Sequence, residues 1–386
     1  MGRYSRIANR LLLRGKGAVA LSALTGVALV GCAPVVSPPG GPAPTTTTQP
    51  AGGGGGQLLD LGRNLTSYIK QSGDQIIQVP NGTYTAGTVS APHAATSGAQ
   101  HGWLVLKAQS PLGVVVDLAH APLMLTSSTS RVLFVGFKFV NGSVYAYGSD
   151  LAFWYTDHSF PADVWSRQAP NPRYPEQGLY RAPRTVYTNA TTSKRVSFFG
   201  VDAHDTATSF MISGSTDMTL QGTNIWNLSD LGLDPQDVVH VDAIGGVSGN
   251  TSGLTVRNSW IRGRIMIEDA AGHGGSVGGP FTNLLFADTW VSNSPSSGFT
   301  FTAAKQTSPR GVFGALSNVH SWGNNNGYAR IDIVDGKQYH QSNVISSRVN
   351  VAESGVVAAA PPYGSISPST QWRNAHPYDA WAYAIH

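Results

Sequence analysis

The chain holds a single cysteine, Cys32, in 386 residues. A lone thiol closes no disulfide within the chain, so this fold has no covalent staple. Cysteine and histidine nowhere fall at the spacing of a zinc site. A basic tract is missing as well. The formal charge of +4 belongs to the first residues: Arg3, Arg6, Arg10, Arg14 and Lys16 meet no acid in residues 1–32, and the remainder carries 20 Lys and Arg against 21 Asp and Glu. That balance leaves no electrostatic footprint for nucleic acid, which is not expected as a partner. Past the apolar stretch at residues 17–30, no second run is long enough to span a bilayer. Helical periodicity is scarce. Short alternating runs of Val, Ile, Thr, Ser and Asn, broken by Gly, point instead to an all-β chain.

What is present begins with an address. The five basic residues precede the apolar "GAVALSALTGVALV", which ends in "LVGC", Leu29 to Cys32. This order resembles the lipobox of bacterial lipoproteins, which implies cleavage after residue 31, lipidation of Cys32 and a domain anchored on the extracytoplasmic side of the cell membrane. An ordinary cleaved leader is the alternative. Residues 32–56 are rich in Pro, Thr and Gly and read as a tether. Residues 57–360 are long enough for one large domain, and residues 361–386 form an aromatic tail expected to pack on its last coil.

The body repeats itself. "VLFVGFKF" (132–139), "VSFFGVDA" (196–203), "MTLQGTNI" (218–225), "LTVRNSWI" (254–261), "LLFADTWV" (284–291) and "VISSRVNV" (344–351) share apolar–x–apolar–x–turn–x–x–apolar, and a further copy lies near "GALSNVHSW" (314–322). A second strand follows most copies: "ATSFMIS" (207–213), "VVHVDAI" (238–244), "RIMIED" (264–269), "GFTFTA" (298–303) and "ARIDIV" (329–334). One such unit cannot bury its apolar face alone, so units stack into a parallel β-helix. A β-sandwich would show hairpin turns at shorter spacing. At the start, "NLTSYIKQSGDQIIQVPNGTYTAG" (64–87) reads as a short amphipathic helix, a strand and a turn, the helix capping the open end of the coil. With its Val79-Pro80-x-Gly82-Thr83-Tyr84, this stretch and the repeats resemble the right-handed parallel β-helix proteins of the pectate-lyase-like superfamily. The resemblance implies the fold over about residues 57–360. It leaves activity open, because the superfamily includes polysaccharide lyases, glycoside hydrolases, epimerases, tailspikes and adhesins.

Stacking the second strands by their inward pairs, Val239/Val241 on Ile265/Ile267, Phe299/Phe301 and Ile331/Ile333, gathers His240, Asp242, Arg264, Glu268, Arg330 and Asp332 on one face. In that register Asp242 and Glu268 are neighbours. Two close carboxylates repel, one holds a proton, and the pair suits acid–base work on a glycosidic bond. The same oxygens also suit Ca²⁺. Arg264 or Arg330 would pair with a substrate carboxylate, and His240 would be the base of an elimination. A plain solvated face with ion pairs worth about 0–1 kcal/mol is the other account. "DAHD" supplies a second cluster, Asp202, His204 and Asp205, expected on a turn. A long insertion is expected at about residues 150–193; its Trp154, Tyr155, Trp165, Tyr174 and Tyr180 either stack on sugar rings or pack as a lid. Together these readings give a monomeric cell-surface lipoprotein that binds, and by elimination or hydrolysis cleaves, a polysaccharide, with no cofactor or with Ca²⁺. A non-catalytic glycan-binding or adhesion protein is the alternative.

Overall fold

A computed structural model describes residues 45–48, 59–60, 74–86, 88–89, 102–119, 122–161, 184–188, 192–228, 242–247, 251–268, 280–303, 312–333, 337–340 and 349–385. The leader with Cys32, the segment expected to form the capping helix and His240 lie outside them.

Successive coils contribute strands to three parallel faces. The first face includes Gln75–Val79, Leu104–Ala108, Ser130–Val135, Ser149–Trp154, Lys194–Phe199, Thr216–Gln221 and Ser252–Arg257. The second includes Phe137–Val140, Asp157–Ser159, Asp202–Thr206, Asn224–Leu228 and Trp260–Arg262. Phe281–Ser292 and Val312–Trp322 run unbroken across the corner between these two faces. The third runs from Thr88–Val89 to Ala329–Ile333, and its last edge is covered by the antiparallel strand Lys337–His340. Within the expected tether, Thr45–Thr48 is already a strand, parallel to Gln75–Gln78.

The turn position of the repeat has a backbone cause. Gly136, Gly200, Gly222, Asn258, Asp288 and Asn318 all have positive φ, and each sits at the corner between the first and second faces. An ordinary side chain is strained in this left-handed conformation, whereas Gly, Asn and Asp visit it routinely. The final copy is displaced from its expected position. Val351 pairs with Gly314, so Gly355 and not Arg348 holds the corner.

Inward side chains stack coil on coil. Phe134, Phe153 and Phe198 lie nearly parallel, with centroids 5.3 and 4.7 Å apart, and each is fully buried. "LAFWYTDHSF" belongs to this ladder, which shortens the expected insertion. Ser149–Trp154, Asp157–Ser159 and Arg184–Tyr187 are regular strands of one coil, and residues 162–183 lie outside the described residues.

The tail corrects another expectation. It does not close the last coil but runs back along the first-face corner. Helix α1, Pro368–Ala375, is capped by Ser367, whose Oγ accepts from Thr370 N, and a 3₁₀ segment follows at Tyr378–Ala384. Trp372 is 4% exposed and packs on Trp154, Tyr155 and Phe199. Lys107 pairs with Asp379 at 2.8 Å, and Arg373 grips Asp202 through two bonds of 2.9 and 3.0 Å. The outer side of the first face, Val105, Leu133, Val135, Ala152, Trp154 and Phe199, is therefore a second apolar core. That explains why "VLFV" and "LAFW" are apolar without alternation.

Candidate functional site on the second face

Outward residues of the second face form two columns. The first runs Lys138, Asp157, Asp202, Asn224, Trp260, Trp290 and His320. The second runs Ser159, His204, Trp226, Arg262, Ser292 and Trp322. Between them His158, Ala203, Ile225, Ile261 and Val291 point inward and are fully buried. Period-two alternation thus brings residues remote in sequence to within about 4.8 Å per coil.

His204 stands at the polar end. Its Nδ1 is 2.6 Å from Asp205 Oδ2 and its Nε2 is 3.1 Å from Asp157 Oδ2. The Trp226 ring lies against it, centroids 4.3 Å apart and 16° from parallel. Neighbouring residues on a strand ordinarily face apart, but Asp205 has φ of 52°. This left-handed kink turns its carboxylate back beside the imidazole. Asn227, kinked in the same way one coil on, donates to Asp205 Oδ1.

The electrostatics follow from this clamp. Burial opposes charge on His204, but hydrogen bonds and charge from Asp157 and Asp205 outweigh it and raise the pKa. Burial likewise opposes charge on Asp157. The bond and charge of His204, with Lys138 at 3.9 Å and His158, overcome it and hold the carboxyl below its ordinary value. His158 is the opposite case: burial drives it down to about 3, and it sits neutral against Phe139 with Nε2 2.9 Å from Thr156 Oγ1. The clamp is also graded in exposure. The Asp205 side chain is 35% exposed, against 12% for Asp157 and 11% for His204.

Beyond Trp226 the columns turn aromatic. Trp260 and Trp290 are 5.5 Å apart, Trp290 and Trp322 5.7 Å, all outward on one face. Arg262 lies over the Trp260 ring at 3.7 Å. Where α1 meets this face, Asn224, Trp260, Arg262, Ser367, Ser369, Thr370 and Arg373 enclose an open cleft of about 110 Å³.

The third face does not assemble the expected carboxylate pair. Asp242 pairs with Arg264, and Glu268 pairs with Val247. The two acids are thus four residues out of step, about 13 Å along the strand. A register shift after Asp242 sets Ile244 opposite Ile265, the place expected of Val239. Arg330 and Asp332 lie opposite Thr300 and Thr302, two residues from the expected alignment. The backbone alone is described at Asp242, Glu268, Arg330 and Asp332. Among the described residues no three His, Cys, Asp or Glu converge as a metal site, and the side chains of Asp242 and Glu268, expected to hold Ca²⁺, lie outside those residues.

Two of the expected sugar-stacking aromatics have other partners. Trp154 is fully buried under the tail and donates from Nε1 to the Tyr378 carbonyl at 2.8 Å. Tyr155 occupies a corner and donates to the His376 carbonyl at 2.6 Å. Trp165, Tyr174 and Tyr180 lie outside the described residues. "DAHD" is a strand, Asp202–Thr206, and not a turn. Asp157 and the tryptophans escaped the sequence reading. The seventh place of the repeat already held Lys138, Asp202, Asn224, Trp260 and Trp290, and following that place through the copies exposes the column.

No protein-family model matches the chain, and no curated protein matches it. Among solved structures it is similar to pectate lyase Pel9A, at 12% identity over 84% of each chain with a TM-score of 0.38. A pectin methylesterase from Yersinia enterocolitica is 14% identical over 83% of this chain and 97% of its own, TM-score 0.38. An alginate lyase from Paenibacillus sp. is 11% identical over 81% and 99%, TM-score 0.33. Such likeness assigns no residue a role. The β-helix stands on the strand pairings above.

Proposed function

We propose that the protein binds an extended polysaccharide along the second face and breaks a glycosidic bond at Asp157, His204 and Asp205. The observation that carries this reading is an imidazole clamped between two carboxylates on a face whose two outward columns carry tryptophans further along. A flat face of parallel strands suits a long polymer, and indole rings offer apolar surface to sugar rings. At the clamp a base and an acid stand side by side. Asp205, the more exposed, takes the proton from a sugar carbon in a same-side elimination. As that carboxylate is protonated it releases His204 Nδ1, whose proton goes to the leaving oxygen as the carbon–oxygen bond breaks and the carbon–carbon double bond forms. Asp157 stays ionised and fixes the ring from the other nitrogen.

The test is digestion of a panel of acidic and neutral polysaccharides. New reducing ends alone mark hydrolysis, and an ultraviolet-absorbing unsaturated product marks elimination. His204→Gln should lower turnover by about 10²-fold or more while polymer is still bound. Full turnover in that variant overturns the assignment. Binding without product favours a second reading, a glycan-binding face without chemistry. The aromatic run past Trp226, through Trp260 to Trp322 and away from the clamp, supports it.

The cell-surface part of the proposal rests on residues 1–32 alone. A labelled fatty acid should be incorporated by the full chain and not by Cys32→Ala.

A further inference from the structure

The cleft where α1 meets the second face contains a cation that the clamp does not use. Arg262 is half-buried over Trp260 and makes no hydrogen bond or ion pair among the described residues. Burial lowers its pKa, and the charge of Asp202 only partly restores it. That carboxylate is already committed, since Arg373 takes both oxygens and Asn224 donates to Oδ1. The second arginine of the cleft is thereby neutralised and Arg262 is not. A partly desolvated charge without a counter-ion is costly, and an anion entering the cleft would relieve it.

The geometry points to a subsite for an anionic group of the polysaccharide, a carboxylate or a sulfate ester, held by the Arg262 guanidinium. Stacking on Trp260 fixes the plane of the fork, and a planar fork receives two oxygens at once. Ser369 and Thr370 also line this cleft. Arg262 and His204 share a column with Trp226 between them, two coils or about 10 Å apart. A polymer lying along that column reaches both. The inference rests on the proposed function for its polymer, but its test does not require turnover.

The full chain is titrated calorimetrically with polygalacturonate, dextran sulfate and uncharged dextran, as wild type, Arg262→Gln and Arg262→Lys. The expected result is binding of an anionic polymer that weakens about 10- to 100-fold in Arg262→Gln. Arg262→Lys, which keeps the charge but loses the fork, should fall between, and any binding of dextran should not change. The preferred polymer separates a carboxylate from a sulfate. The inference is overturned if neither anionic polymer binds, or if Arg262→Gln and Arg262→Lys both bind as wild type does. Arg262-dependent binding without cleavage would sink the catalytic reading and leave the subsite. Turnover lost in His204→Gln with unchanged binding in Arg262→Gln would do the reverse.

Discussion

Gly222 and Gly355 occupy equivalent corners with the same φ of +65°, yet the structure assigns them very different sensitivities. An added methyl at Gly355 meets nothing closer than the Asn318 backbone at 3.5 Å. Gly355→Ala should therefore cost only the left-handed strain of an L-residue, about 1–2 kcal/mol. At Gly222 the same methyl overlaps the Trp372 indole. The ring must leave a seat in which it is 4% exposed, and losing a buried tryptophan costs about 3–5 kcal/mol. Together the strain and the lost seat put Gly222→Ala at about 4–7 kcal/mol. Urea titration followed by far-ultraviolet circular dichroism measures both variants without relying on indole fluorescence. The decisive arm is Gly222→Ala built on Trp372→Ala, where the penalty should shrink to that of Gly355→Ala. Equal costs at the two corners, or an undiminished cost without the indole, would refute the seat.

Other outcomes follow from the buried titratable groups and the core. The folded pKa of His204 is raised, so its stabilisation is complete below the unfolded value of about 6.5 and is lost as pH rises through the folded pKa; melting temperature against pH should show this slope in wild type and not in His204→Gln. Asp157 has the opposite sign: its contribution holds above about pH 3.9 and disappears as pH falls through the lowered folded value, and Asp157→Asn should abolish that acid-side loss. His158 stays neutral down to about 3. Unfolding thus takes up its proton below pH 6.5 and stability falls by up to about 1.4 kcal/mol per pH unit; His158→Leu should flatten this decline, and an unchanged slope would assign it elsewhere. Phe153→Ala, which breaks the phenylalanine stack, should cost about 3–5 kcal/mol in the same urea assay.

The repeat was legible because two local constraints write it. Inward places must be apolar, and the corner must tolerate left-handed backbone, so Gly136, Gly222 and Asn258 stand out in the sequence. Register on the third face was not legible, because Val239/Val241 and Ile244 offer equally apolar alternations. Pairing across coils chose the latter. The polar site was half legible. His204 and Asp205 were visible as a cluster, but Asp157 lies 47 residues upstream and was read as part of an insertion. Nothing local told Trp154 and Tyr155 apart from surface aromatics. Their burial is made by a tail more than 200 residues downstream, as the bonds to Tyr378 and His376 show.

A stack of coils in which each rung touches only its neighbours would be free to unzip from either end. The tail changes that, because one short segment is bonded to rungs as far apart as Lys107, Trp154, Asp202 and Gly222. It acts as a buckle: early rungs are fastened through Asp379 and Tyr378 to the same segment whose indole and guanidinium hold the middle ones. Rungs that would otherwise melt piecemeal are made to stand or fall together, and the wall bearing the cleft is assembled only once Ser367 to Arg373 have folded back onto it.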